Sequence, residues 1–135
     1  MIWKRLGDNN MNYIKHRADE SLEDYLETIL LLHKKNGHVR SIDIANELNF
    51  TKASVSVAMK NLREKEYITM ADNGYITLTE SGRIRAESVL ERHNILSEWL
   101  ISIGVTKETA SEDACRIEHD LSEESFEAIK KACKK

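Results

Sequence analysis

The most restrictive stretch of this chain is residues 41–79, where two short segments of helical apolar period run directly into a strand-turn-strand signal. In the first segment Ile42, Ala45 and Leu48 recur every three residues, which gives a short helix from about Ser41 to Leu48 one apolar side, and Asn49-Phe50 interrupts it. Thr51 then reads as the cap of a second helix, whose inward residues Val55, Met59 and Leu62 carry it to about Glu66. Tyr67-Ile68-Thr69-Met70 and Tyr75-Ile76-Thr77-Leu78-Thr79 are rich in strand formers and flank Asp72-Asn73-Gly74, whose Asn-Gly pair favours the positive φ angles of a hairpin turn. Two helices across a tight turn, followed at once by a hairpin, match a winged helix-turn-helix. In that arrangement the second helix enters the major groove of DNA, and the wing approaches the backbone or minor groove.

The outward face of the second helix suits such a partner. Thr51, Lys52, Ala53, Ser54, Ser56, Val57 and Lys60 are small, hydroxylated or cationic, so hydroxyls and lysines are available for phosphates while Ala53 and Val57 offer methyl groups to thymine. Each of them is equally suited to an ordinary solvent-exposed helix position. The formal net charge of -3 excludes a uniformly basic nucleic-acid binder, but charge is unevenly spread: between Lys34 and Ile68 seven basic residues face four acidic ones, and both flanks are acidic.

Those flanks read as helical. Residues 1–20 show no apolar period and are expected to form an arm; Ser21 then opens a helix, with Asp24 completing a capping box and Leu22, Tyr25, Leu26, Ile29 and Leu30 forming a stripe that ends by Gly37. Beyond Gly82 a long helix with Val89, Leu96 and Leu100 on one side runs to about Ile103, a length that suits a linker and dimer helix, and Gly104 closes it. Thr106 caps a further helix carrying Ala110, Ala114, Ile117 and Leu121, and Ser122 caps a last one through Phe126, Ile129 and Ala132. The expected fold class is mainly α. It comprises an arm over 1–20, a winged helix-turn-helix DNA-binding domain over 21–80 and a helical dimerisation and metal-binding domain over 81–135. No apolar run nears the roughly 18 residues of a membrane span and no signal core opens the chain, so a cytoplasmic location without membrane contact is expected. In a reducing compartment Cys115 and Cys133, distant in sequence and outside any CxxC, are expected to be free thiols.

Cys115, Glu118 and His119 fall at i, i+3 and i+4, which places a thiol, a carboxylate and an imidazole on one helix face. Asp24 and Glu27 lie one turn apart on the first helix, and His93 is in register with Val89, Leu96 and Leu100 on the long one. Convergence of the three helices would join six donors, and mixed oxygen, nitrogen and sulfur ligands favour Mn(II), Fe(II), Co(II) or Zn(II) over Ca(II) or Mg(II). Ordinary structural uses stand beside this reading: Asp24 as a cap, Glu27 as a solvated carboxylate, His93 as a hydrogen-bonded core histidine, Cys115 as a small buried hydrophobe, Glu118 and His119 as exposed polar residues.

The segments SLEDYLETI, DIANELNFTKASVSVAMKNL, GYITLTESGR, ERHNILSEWL and EDACRIEHDLSEES, in this order, resemble the successive signatures of the diphtheria toxin repressor and manganese transport regulator family, over nearly everything from Ser21 onward. The resemblance implies a metal-activated homodimer that binds palindromic double-stranded operator DNA and represses metal-ion homeostasis genes, with Mn(II) or Fe(II) as the cofactor. It also implies the two-domain plan of the manganese regulators. Carried over by position, the ligand places fall on Asp24, Glu27, His93, Cys115, Glu118 and His119, five of them keeping the manganese-branch residue type. Cys115 departs. The manganese branch has glutamate there, whereas the toxin-repressor branch has cysteine there but methionine where this chain has Asp24, so the implied site is a hybrid that shifts preference toward Fe(II), Co(II) or Zn(II). The toxin-repressor branch's ancillary metal site is incomplete, with Ser97 and Ser111 at two of its places, and Ala53 stands where the family often has proline. Two other readings remain: a metal-independent winged-helix regulator whose Cys115 senses oxidation or a small molecule, and a metal hydrolase using Glu118 as base. Against the second, the sequence offers no phosphate loop, nucleophile-base pair or substrate pocket, so no enzymatic activity and no small-molecule substrate are expected.

Overall fold

A computed structural model describes the backbone of residues 10–133 and the side chains of residues 21–133. Its elements are α1 (Asn10–Asn36), α2 (Ser41–Leu48), α3 (Lys52–Glu64), β1 (Ile68–Met70), β2 (Ile76–Leu78), α4 (Glu80–Ser102), α5 (Lys107–Ile117) and α6 (Glu123–Cys133). They divide into two compact units, the first ending at Arg83 and the second starting at Ile84. Among the described residues no helix is long and apolar enough to cross a membrane.

In the first unit the apolar period of each helix becomes the core. Leu22, Leu26, Ile29 and Leu30 of α1, Ile44 and Ala45 of α2, and Val55, Met59 and Leu62 of α3 are buried together with Ile68 and Ile76 of the hairpin. Asn49, at φ 58°, turns the chain after α2, and the Phe50 amide returns to the Ala45 carbonyl at 3.0 Å, which keeps the link to α3 short. Thr51 caps α3 as its type requires, its Oγ1 accepting the Ser54 amide at 3.1 Å. β1 and β2 pair antiparallel in the register Ile68 with Leu78, Thr69 with Thr77 and Met70 with Ile76. Gly74, at φ 89°, closes the turn, and its amide donates to the Ala71 carbonyl at 2.9 Å. The segment before α2 joins this hairpin. The Ile76 amide donates to the Val39 carbonyl at 2.8 Å, His38 stacks on the Tyr75 ring at 5.0 Å, and the Arg40 guanidinium lies 4.6 Å from the same ring centroid.

Two sequence expectations shift here. α1 already runs from Asn10, so Ser21 is inside a helix and does not open one; its neighbours' amides have partners in the preceding turn, and a capping box has nothing to do. Residues 1–9 of the expected arm lie outside the described residues. In α2 the buried pair is Ile44 and Ala45, while Ile42 is 39% exposed and Leu48 half-buried. The phase is set by the start of α2: the Arg40 amide donates to Asp43 Oδ2 at 2.9 Å, and the helical turn that follows directs Ile44 inward.

The passage from wing to α4 depends on close backbone approach. Glu66 adopts φ 63°, and its carbonyl accepts from Thr79 Oγ1 at 2.7 Å; that same hydroxyl accepts the Gly82 amide at 3.2 Å and so caps α4. Thr79 and Tyr67 are further tied by an amide-carbonyl bond of 2.9 Å. A Cβ on Gly82 would run into the Tyr67 carbonyl, which belongs to backbone and has no rotamer to escape into. Gly82→Ala is therefore expected to destabilise the chain by about 1–3 kcal/mol, read as a lower urea midpoint with unchanged slope. A change below about 0.5 kcal/mol, the scatter of ordinary surface substitutions, would show that this approach is not tight.

In the second unit Ala86, Val89 and Leu96 of α4 are buried, as are Ala110 and Ala114 of α5 and Phe126 of α6. Thr106 caps α5 through a 3.4 Å bond from the Thr109 amide, and Ser122 caps α6 through a 3.0 Å bond from the Ser125 amide, both as the sequence suggests. Gly104, at φ 107°, ends the turn after α4.

Candidate metal centre and nucleic-acid interface

In the second unit α4 and the end of α5 bring three donor types together. His93 Nδ1, Cys115 Sγ and a Glu118 carboxylate oxygen all lie within 4.8 Å of one another. Glu118 is the centre of the group. Its side chain is only 1% exposed, and one oxygen sits 3.0 Å from His93 Nδ1 while the other sits 3.4 Å from His119 Nε2. Cys115 Sγ lies 3.7 Å from the same His93 nitrogen on the exposed side of the cluster. Burial lowers the pKa of His93, favouring the neutral imidazole that carries a lone pair for a ligand.

The donor set fits a divalent transition ion. A carboxylate removed from water needs compensating positive charge, and a neutral His93 imidazole supplies little of it. A thiol, an imidazole and a carboxylate within one ion's reach match the softness of Fe(II), Co(II) or Zn(II). The expected single helix face is modified in detail: α5 ends at Ile117, Glu118 is its C-cap, and His119 falls in the turn that follows. Asp24 and Glu27 belong to the first unit, one turn apart on α1 with Asp24 exposed and Glu27 half-buried. Ser97 is half-buried on α4, and Ser111 is exposed on α5.

All seven residues of the expected reading face, Thr51, Lys52, Ala53, Ser54, Ser56, Val57 and Lys60, are exposed, and Val57 reaches 70%. The inward set Val55, Met59 and Leu62 is at most 2% exposed, so α3 has a sharp division between core and surface. Thr51 and Ser54 are also bonded to each other, Thr51 Oγ1 donating to Ser54 Oγ at 2.9 Å, which couples the helix cap to the surface hydroxyl. Two groups escaped the sequence reading. His38 and Arg40 bracket Tyr75 at the wing, a contact between segments far apart in sequence. Arg92 reaches across to the α5–α6 junction, and its only sequence signal was its place next to His93.

A winged helix-turn-helix with an exposed second helix, followed by a helical unit with a thiol-imidazole-carboxylate cluster, defines a winged-helix transcriptional regulator equipped for metal. Residues 19–76 match the family description "Iron dependent repressor, N-terminal DNA binding domain", and residues 79–135 match "Iron dependent repressor, metal binding and dimerisation domain". The chain is 36% identical over 113 residues to an uncharacterised HTH-type transcriptional regulator of Methanocaldococcus jannaschii, covering 82% of this chain and 90% of that one. It is 34% identical to the HTH-type transcriptional regulator MntR of Geobacillus kaustophilus, over 81% of this chain and 77% of the relative. Among solved structures, IdeR of T. acidophilum matches with a TM-score of 0.72 and 30% identity, over 84% of this chain and 54% of IdeR, so the chain spans about half of that protein's length. The chain belongs to the iron-dependent repressor family of metal-dependent transcriptional regulators.

Cys115 provides a direct check on the cluster. Added Co(II) is expected to give the intense near-ultraviolet absorption of thiolate bound to cobalt, and Cys115→Ser to abolish it. Because Cys115 is exposed, the substitution should change stability by no more than about 0.5 kcal/mol. A band that survives in the serine variant would remove Cys115 from the site.

Proposed function

We propose that this protein is a repressor that binds palindromic double-stranded operator DNA as a homodimer when loaded with Mn(II) or Fe(II), and so controls metal-ion homeostasis genes. Co(II) and Zn(II) are further candidates for the same site. The observation that carries the reading is the buried Glu118 carboxylate set between His93 and His119 beside the Cys115 thiol. The proposed ligand set is Asp24, Glu27, His93, Cys115, Glu118 and His119. For Asp24 and Glu27 the support is their helical spacing and the family's ligand pattern, and their hard oxygens keep Mn(II) in contention. When bound, the ion supplies the positive charge that balances the buried carboxylate and links the donors into one unit.

The proposed DNA contacts are Thr51, Lys52, Ala53, Ser54, Ser56, Val57 and Lys60 at the exposed face of α3. Lys52 and Lys60 pair with phosphate, while the Val57 and Ala53 methyl groups meet thymine in the major groove. A dimer presents two such helices to half-sites about one turn of DNA apart. Anything that narrows the range of their separations therefore raises affinity for a palindrome.

Metal-free protein titrated with Mn(II), Fe(II), Co(II) and Zn(II), and assayed for binding to DNA from its own promoter, tests the reading. At least one of these ions is expected to tighten binding about 5- to 150-fold. Glu118→Ala and His119→Ala are expected to erase that gain while retaining helical circular dichroism. Binding indifferent to metal and chelator would favour the metal-independent regulator instead.

The phosphate contacts make a separate prediction. Affinity should fall steeply with salt, and Lys52→Ala or Lys60→Ala should each reduce the slope of log K against log salt by about 1 per half-site. A slope near zero in the unaltered protein would exclude phosphate contact as the basis of binding.

A further inference from the structure

Arg92 immediately precedes His93 on α4, and its side chain is mostly withdrawn from solvent, at 14% exposed. One guanidinium nitrogen donates to the main-chain carbonyls of Glu118 at 3.1 Å and Leu121 at 2.7 Å; another donates to the Glu123 carboxylate at 3.1 Å. The group lies 5.0 Å from the centroid of the Phe126 ring. These partners span the junction where α5 stops and α6 begins.

The last carbonyls of a helix have no amide partner within it and carry partial negative charge. A planar cation with several donors satisfies the helix-end carbonyl of Glu118 together with that of Leu121 in the following turn, and reaches a carboxylate in the next helix. Consecutive residues of α4 therefore hold Glu118 from both ends: Arg92 takes its main-chain carbonyl, and His93 its carboxylate. His119, the next residue, inherits the same anchoring. α5 ends at Ile117 with the Glu118 amide still donating to the Ala114 carbonyl at 3.0 Å, and Arg92 adds a hold on the Glu118 carbonyl, which faces out of the helix end.

We propose that Arg92 is a positioning residue for the metal centre, fixing the α5–α6 junction so that Glu118 faces His93 at ligating distance with His119 beside the same carboxylate, although it contributes no donor atom to the ion. This rests on the metal-responsive reading above. The competing explanation is that Arg92 merely fastens α6 to α4. A second link between the same helices separates the two: Lys130 Nζ pairs with Glu91 Oε2 at 2.6 Å, on a more exposed side. Glu91→Gln loosens helix docking while leaving the Glu118 carbonyl held.

The test is a Co(II) titration of the full chain, unaltered and as Arg92→Met, Arg92→Lys and Glu91→Gln, read by cobalt absorption, with thermal unfolding of each metal-free protein in parallel. Arg92→Met is expected to weaken Co(II) binding about 10- to 100-fold, at a temperature where it remains folded. Arg92→Lys should recover part of the loss through a single contact, and should carry the comparison if the methionine variant does not fold. Glu91→Gln should keep the unaltered affinity within about twofold, well below the loss expected from a displaced ligand. The proposal is overturned if the folded Arg92 variants bind Co(II) as tightly as the unaltered protein, or if Glu91→Gln weakens binding equally. Absence of Co(II) binding by the unaltered protein would overturn the metal reading itself, and this inference with it.

Discussion

A carboxylate buried between two imidazoles is the constraint on which the second unit turns. Glu118 is almost fully enclosed, and removing such a group from water costs several kcal/mol unless opposite charge or hydrogen bonds compensate. Here His93 and His119 approach its two oxygens, and Arg92 holds its carbonyl. Burial lowers the His93 pKa and favours its neutral imidazole. On the proposed function, a divalent ion would supply positive charge beside the carboxylate. On that proposal the arrangement is a polar network whose balance depends on a ligand, which is what a sensor requires and a purely structural core avoids.

The first unit solves a different problem, the presentation of one helix face with little freedom. Val55, Met59 and Leu62 seat α3 in the core, Thr51 fixes its start, and Asn49 makes the turn that joins it to α2. The wing is held independently at both ends. Tyr75 is gripped by His38 and Arg40 near the hairpin tip, and Gly82 lets the start of α4 lie against the Tyr67 carbonyl at the other. What remains exposed on α3 is polar or charged apart from Ala53 and Val57, so the face proposed to read DNA is separate from the packing beneath it.

The parts of this chain that were legible in sequence are those set by local chemistry. Thr51, Thr106 and Ser122 cap the helices they precede because a cap bond spans only three residues. Gly74 closes the hairpin because its φ of 89° suits glycine, and the Asn73 Oδ1 accepts the Tyr75 amide at 3.0 Å, a local bond asparagine provides. Cys115 and Glu118 meet because they are one turn apart, and the apolar register of α4 was enough to bring His93 to them. Ser21 misled because a capping pattern carries no record of whether the preceding residues are already helical. Ile42 misled because Ile42 and Ile44 are both plausible inward residues, and only the position of the first turn decides between them. Arg92 was illegible for a deeper reason: its partners are carbonyls 26 and 29 residues away, and a main-chain carbonyl has no sequence signature.

The central claim is that metal and DNA binding are thermodynamically coupled, and coupling must be reciprocal. The most direct test measures the affinity of the protein for one activating ion twice, in the absence of operator DNA and at saturating operator DNA. The expected result is a metal affinity raised by DNA, by the same factor by which saturating metal raises DNA affinity. A metal affinity that DNA leaves unchanged would contradict the claim, and would leave the buried carboxylate cluster and the reading helix as two unconnected features of one chain.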